Sequence, residues 1–403
     1  MHVELSQFSS TATGELITIR GSTTQHGDWE HRAFLPNSLP DDMPTLSPAT
    51  IMALADSRAA LAALDNTARQ LPNPQLLRQP TLRTEAQSTS ALEGTYAPLP
   101  AVITADEEDV DSAEMREIMN YVQMANTGYF WHASERPIST SLLSDLQGIL
   151  MKGTSLAGES GRLRPTQVVI GRREGFLPTD LPVKAARFVP VPPGDQLNAG
   201  VDGLMAWKSH DHSDTIDPVI KVGMAHYQFE TLHPFRDGNG RLGRYLIVLD
   251  LLSTGVLSEP TLTVSPWFEA RRTEYYQRLL AVSTSGDWDG YLEFFLRGLK
   301  HAAAATRQQM LELASVQASL KEAIRNARIR ADSAHGLIDL ATARPTFTVK
   351  QAAAELGLSD GGARRVIEQL VDLKILTVLQ STTGYRRRYY APAVLDVLVA
   401  PHD

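Results

Sequence analysis

Twelve residues, His233 to Arg244, read HPFRDGNGRLGR. One imidazole, one carboxylate, one amide, three glycines and three arginines share this short run. Mostly apolar stretches flank it, Asp217 to Leu232 on one side and Arg241 to Leu252 (RLGRYLIVLDLL) on the other. Both flanks predict buried helices, so the polar run is the loop between them and ends where the second helix begins. Such a loop suits a polyphosphate. The first turn of a helix offers free backbone N–H groups and the positive end of a dipole. Gly238 and Gly240 let the backbone approach an anion, and Asn239 can donate from its side chain. Arg241 and Arg244 lie three apart on neighbouring turns and can fork onto phosphate oxygens. Asp237 can hold Mg2+ against the same phosphates, and His233 is the general base nearby. A base, a metal carboxylate and a phosphate cradle together imply transfer of a phosphorus-bound group to a protonated nucleophile. A loop built only for turning needs the proline and glycines, but not His, Asp and two arginines at these spacings.

The run resembles the signature of the Fic family, H-x-F-x-(D/E)-G-N-G-R-x-x-R, and matches it at every specified position. The resemblance implies a mainly α-helical Fic-fold bundle with a β-hairpin flap. It implies an enzyme that most often moves AMP from ATP to a Ser, Thr or Tyr hydroxyl of a protein, itself included. His233 would deprotonate that hydroxyl, Asp237 would bind Mg2+, and Phe235 would anchor the loop in the core. The backbone from Gly238 to Gly240, with Asn239, would hold the α-phosphate, and Arg241 and Arg244 the outer phosphates. The relative that transfers phosphate instead of AMP has Lys where this chain has Gly240, which favours adenylylation here.

Residues 48–71 (PATIMALADSRAALAALDNTARQL) space their apolar residues as a helix, and Leu76 to Leu92 reads as a second helical region. The second runs into Thr89-Ser-Ala-Leu-Glu93-Gly94, where Thr89 and Glu93 stand at i and i+4 and Gly94 suits a helix C-cap. These residues resemble the family's inhibitory motif, (S/T)-x-x-x-E-(G/N), in the class that places it ahead of the signature. The resemblance implies that Glu93 pairs with Arg244 and takes the space of the ATP γ-phosphate. The alternative is an ordinary surface helix. In some relatives the same glutamate directs a water and the enzyme removes AMP; the residues leave both directions open.

Gly161 to Gly171 (GRLRPTQVVIG) predicts a short strand, and Phe188 to Pro193 its return. Gly161, Arg164, Val168, Val169, Ile170 and Phe188 resemble the family's Gly…Arg pair and its flap, which aligns a target segment by strand pairing. Residues 1–45 predict an extended arm with turns. Asp106 to Ala125 reads as acidic at its start and then helical, and Ser139 to Met151 and Asp195 to Ser209 read as helices. His226 reads as a packed core histidine, and His210 and His212 as solvated loop residues. Tyr275 and Tyr276 fit either a nucleoside pocket or the core. Arg271 and Arg272 stand where the family commonly has Asn-Arg.

His301 to Ala334 predicts a long alanine-rich helix leading to a separate module. From Thr346 to Ala391 that module reads helix, turn at Gly357 to Ser359, helix, then a hairpin turning at Thr383-Gly384, which is a winged helix-turn-helix pattern. Between Arg344 and Ala391 there are eight Lys/Arg and four Asp/Glu. Arg364, Arg365, Arg386, Arg387 and Arg388 can meet phosphates of DNA; a packing or protein-binding role is the alternative. The expected organisation is 1–105, an N-terminal region with the inhibitory helix; 106–300, the catalytic domain; 301–335, a helical linker; and 336–403, the winged helix. A DNA-binding regulator whose first part is only a sensor is a competing reading.

The chain has 403 residues, no cysteine and a formal net charge of −8. Absence of cysteine excludes disulfides, thiolate zinc sites and cysteine catalysis. The acidic balance argues against a whole-chain nucleic-acid or membrane binder, though not against a local basic patch. No G-x-x-x-x-G-K-[S/T] loop occurs. The start (MHVELSQFSS) lacks a signal-peptide layout, and no apolar run reaches membrane-spanning length, so a cytoplasmic protein is expected, with ATP at hand and homodimerisation through the helices tuning inhibition.

Overall fold

A computed structural model describes residues 8–9, 13–70, 75–105, 110, 112–327, 329, 332–379 and 387–400. In chain order the strands are β1 (Gly14–Thr23), β2 (Gly27–Pro36), β3 (Ile170–Arg172), β4 (Ala186–Phe188), β5 (Phe347–Thr348), β6 (Thr377–Leu379) and β7 (Arg388–Tyr390). The helices are α1 (Pro48–Gln70), α2 (Gln75–Leu92), α3 (Leu99–Thr104), α4 (Ala113–Ala133), α5 (Thr140–Leu150), α6 (Pro182–Ala185), α7 (Asp195–Ser209) and α8 (Pro218–Leu232), then α9 (Asn239–Ser253), α10 (Ser265–Ala270), α11 (Arg272–Ser285), α12 (Trp288–Asn326), α13 (Asp332–Ala343), α14 (Val349–Leu356), α15 (Asp360–Asp372) and α16 (Pro392–Val399). Helix dominates, as expected. No helix among the described residues is long and apolar enough to cross a membrane. The chain forms two compact units, each assembled from separated stretches.

The first unit comprises Met1–Ala59, Asn120–Val256 and Trp267–Lys300. Its centre is the pair α8 and α9, surrounded by α5, α7, α11 and β2. Every residue of α9 from Asn239 to Leu251 is buried, which is why its sequence shows no polar face. Local signals fix the starts of α8 and α5. Asp217 caps α8 by accepting from the Val219 N–H, with Pro218 at the first turn. Ser139 caps α5 by accepting from the Leu142 N–H.

The expected N-terminal arm is instead a regular hairpin. β1 and β2 pair antiparallel from Gly14↔Pro36 to Thr23↔Gly27. Ile19 and Ala33 pack with Leu181, Val183, Ala186 and Val189, joining the hairpin to the region of β3 and β4. The β-branched run Ile17-Thr18-Ile19 was the available signal. β3 and β4 form the predicted excursion, with Ile170↔Phe188 and Arg172↔Ala186 paired. The return strand ends at Phe188 rather than starting there. From Phe188 onward the chain meets β2 instead: the Phe34 N–H donates to Val189 O at 2.9 Å, and Phe34 bridges Pro190.

The second unit comprises Ala60–Met119, Leu257–Pro266 and His301–Asp403. Within it α13 packs on α2, and α16 on α3. α14 and α15 are neighbours, and β5, β7 and β6 form one antiparallel sheet in that order. The turn expected at Thr383-Gly384 lies outside the described residues. The linking helix expected from His301 does not begin there: α12 runs unbroken from Trp288 to Asn326. Asp106 to Ala125, expected to be acidic at its start and then helical, enters its helix at Ala113, and that helix continues to Ala133.

Candidate active site

The signature loop leaves α8 at His233, whose backbone is left-handed (φ 49°) and whose N–H donates to Phe229 O at 3.0 Å. A non-glycine residue in this region is uncommon, and strain there is held by its surroundings. Phe235 is fully buried and pins the loop to the core. Asn239 closes the loop on itself: its Oδ1 accepts from the Phe235 N–H and its Nδ2 donates to Phe235 O, both at 2.8 Å. One of the two N–H groups of this amide is thus used in shaping the loop. Gly238 precedes α9 with φ 81°, and a Cβ there would meet Leu150 at 2.9 Å. Its N–H donates to Asp237 Oδ1 at 2.6 Å.

Two side chains from outside the run hold its backbone. Arg164 is buried and donates to the carbonyls of His233 (2.8 Å), Leu232 (3.4 Å), Val191 and Thr166 (3.3 Å). Its own N–H donates to Pro234 O at 2.9 Å. Burial pulls its guanidinium down to about 10, still charged at neutral pH. Gln147, buried on α5 among leucines, donates to Asp237 O at 3.1 Å and accepts from the Gly161 N–H at 2.5 Å. Arg164 was readable as half of a Gly…Arg pair. Gln147 was not singled out; a lone amide in the run LLSDLQGIL was its trace.

The charged groups divide by exposure. Arg241 and Arg244 are buried, while the Asp237 side chain is 45% exposed and lies 3.4 Å from Arg241 Nη2. Three guanidiniums, counting Arg164, are buried in this part of the first unit, and the Glu230 carboxylate packs against Gly243 among them. His233 Nδ1 lies 3.3 Å from Glu230 O. A carbonyl only accepts, so Nδ1 carries the proton and the neutral ring has its lone pair on Nε2. His226 is core, as expected. It donates from Nδ1 to Gly243 O (3.2 Å), and Nε2 meets the Tyr275 hydroxyl at 2.7 Å. Burial, with the charge of Arg244 adding, pulls it down to about 3. Tyr275 is fully buried and stacks on Phe268, which assigns it to the core.

Other expected residues lie elsewhere. His212 is buried, not solvated: its ring stands 4.7 Å from Trp207 and Nε2 is 3.2 Å from Asp41. With His210, Lys221 and the buried pair Lys208–Asp250 (2.8 Å), it lines a cleft of about 400 Å3 at the opposite ends of α8 and α9 from the signature. Val168 and Val169 precede β3, and Ile170 pairs with Phe188 within it. In the second unit, Thr89 is buried on α2. Glu93 and Gly94 are exposed and follow the last helical residue in a tight turn, with N–H bonds to Ser90 O and Ala91 O, both 3.0 Å. Gly94 has φ 96°. Arg364 and Arg365 are exposed on α15, and Arg387 is exposed. Arg386 lies outside the described residues. Arg388, expected at a phosphate, donates instead to Thr104 O (2.7 Å) and Ala105 O (3.3 Å).

Comparison with known proteins agrees with this geometry. The Fic/DOC family N-terminal model matches residues 51–130, and the Fic/DOC family model matches residues 137–251. Protein adenylyltransferase fic-1 of Caenorhabditis elegans is 31% identical over 150 residues, 37% of this chain and 24% of the relative. A probable protein adenylyltransferase of Aquifex aeolicus is 27% identical over 157 residues, 38% of this chain and 43% of the relative. The chain thus spans less than half the length of these curated relatives. A solved Fic family protein from Desulfovibrio desulfuricans shares the fold with a TM-score of 0.54 at 23% identity, covering 87% of this chain and 98% of that one. With its signature on the loop between two buried helices and both family models matched in sequence, residues 51–251 of this chain carry the Fic/DOC family region.

Proposed function

We propose that the chain is a protein adenylyltransferase. The observation that carries this reading is His233, held at Nδ1 by Glu230 O, at a loop that opens onto the α9 N-terminus above buried Arg241 and Arg244. In the reaction, His233 Nε2 takes the proton from a protein hydroxyl as its oxygen bonds to the α-phosphorus of ATP. The bond to the β-phosphate oxygen breaks and pyrophosphate leaves. The N-terminal N–H groups of α9 and the two arginines stabilise the phosphate charge. Asp237 fits Mg2+, because its carboxylate is half exposed and Mg2+ takes one or two protein oxygens beside substrate phosphates. Bound there, the ion would neutralise phosphate charge.

Glu93, at the end of a Fic-type inhibitory motif, restrains the reaction in this reading, and the enzyme itself is among its acceptors. The test is incubation of wild type, Glu93→Gly and His233→Ala with Mg2+ and either α- or γ-labelled ATP. The α label alone should stay on protein, rise in Glu93→Gly and vanish in His233→Ala. Retention of the γ label would replace adenylyl transfer by phosphoryl transfer. Equal α label in wild type and Glu93→Gly would remove the inhibitory role.

We infer also that the C-terminal segment is a winged helix. Its support is the order α13, β5, α14, α15, β6, β7 with β7 central in the sheet. Exposed Arg364, Arg365 and Arg387 are its candidate DNA contacts. Binding of labelled duplex DNA by the full chain should weaken as salt rises. Absence of any salt-dependent binding would leave the segment as a packing module.

A further inference from the structure

We propose that Arg388 is a latch through which the C-terminal segment holds the Glu93 stretch in place, so that loosening the latch raises transfer activity. This inference rests on the reading of Glu93 as inhibitory and names how that inhibition is set. Its starting point is α3, six residues long and just downstream of Glu93. So short a helix does not stabilise itself, and its last carbonyls need donors from outside. Two guanidiniums supply them. Arg83, buried on α2, donates from Nη1 to Val102 O (2.9 Å), Ile103 O (3.2 Å) and Ala105 O (2.9 Å). Arg388, on β7, donates to Thr104 O (2.7 Å) and Ala105 O (3.3 Å). Positive charge at a helix C-terminus is favourable, so this cap serves both hydrogen bonding and the dipole.

The chain between Glu93 and α3 is tied down in turn. The Thr95 N–H donates to Ser90 O at 3.0 Å, and its hydroxyl to Glu117 at 3.1 Å. Gln87 Nε2 donates to Ala97 O at 3.3 Å. Residues 93–105 are therefore held by α2 and α4 from within and by Arg388 from the C-terminal segment. Arg388 is itself braced by Thr346, whose hydroxyl accepts from Nη2 and also donates to Thr104 O at 3.4 Å. β7 is the central strand of the sheet, between β5 and β6. A ligand that shifts β7 would move the guanidinium, and with it the α3 end of the Glu93 stretch. Removing the latch leaves Thr104 O without its charged donor and Ala105 O with Arg83 alone, and lowers the population of the held state.

The test uses the full chain with α-labelled ATP and compares wild type, Arg388→Ala, Thr346→Val, Glu93→Gly and the double variant Arg388→Ala/Glu93→Gly. We expect Arg388→Ala to raise label at least about fivefold, the population shift from losing one hydrogen bond of ordinary strength. Thr346→Val should raise it less, and the double variant should match Glu93→Gly. Amide hydrogen exchange over residues 99–105 should quicken in Arg388→Ala while α9 keeps its protection, which separates loosening from unfolding. Wild-type label in both folded single variants, with Glu93→Gly raised, would overturn the latch. No rise in Glu93→Gly would overturn the inhibitory reading beneath it, and the latch with it.

Discussion

At the scale of single residues, the buried imidazole of His226 gives a sharp pH expectation. It donates to Gly243 O on α9 and accepts from Tyr275, so the fold needs it neutral. Its folded value of about 3 lies below the ordinary 6.5. The unfolded chain therefore binds the proton first, and the contribution is complete above pH 6.5 and lost as pH falls toward 3, at up to about 1.4 kcal/mol per pH unit. Urea midpoints at pH 7.5 and 5 should fall more in wild type than in His226→Gln; parallel falls would exclude this histidine as the source. Chemistry at the loop has its own expectations. His233→Ala should lower transfer by about 100- to 10,000-fold, because the base that takes the hydroxyl proton is lost. Asp237→Asn should raise the Mg2+ concentration needed for half-maximal label, read from a metal titration.

At the scale of elements, the loop's shape is set by what lies under it. Arg164 ties four carbonyls across the α8 end, the loop and the β4 exit. Arg164→Leu would leave buried acceptors unpaired and should cost roughly 3 kcal/mol or more by urea unfolding. Gly238 is the one glycine of the run whose backbone requires it. Gly238→Ala combines a left-handed backbone, about 1–2 kcal/mol, with overlap onto Leu150, so both stability and label should drop. The N-terminal hairpin supports the chain leaving β4. Phe34 is buried with its ring 5.7 Å from Phe188, and Phe34→Ala should cost about 3–5 kcal/mol while exposing residues 173–185 to protease. Equal cleavage of variant and wild type would show that the hairpin does not steady this region.

At the scale of the molecule, linear order and spatial grouping differ. The second unit brings residues 60–119 together with 301–403. That grouping puts the helix bearing Thr89 beside α13, and α3 beside α16. It also explains why a basic residue of the C-terminal hairpin serves as a cap on α3 rather than as a free charge. The eight Lys/Arg between Arg344 and Ala391 overstate the positive surface there, since Arg388 is spent internally. DNA binding by the full chain, if carried by Arg364 and Arg365, should weaken in Arg364→Ala/Arg365→Ala and be unchanged in salt slope by Arg388→Ala.

What the residues determined by themselves was local. The limits of α1, α2, α7 and α8 follow from helical spacing bounded by proline, Asp217 and a short polar stop, signals that act within one or two turns. The signature run was legible as a loop between buried helices, because thirteen consecutive buried residues leave no polar face to misread. Only the tertiary structure decided which polar groups face a ligand and which hold the protein together. Asn239 turned inward to Phe235, Arg388 to α3, His212 to Trp207 and Asp41, and Gln147 to the loop. The physical reason is shared by Asn239, Arg388 and Gln147, while His212 is held by its packing on the Trp207 ring. A buried carbonyl or carboxylate must find a donor, and the nearest one in space is often far away in sequence.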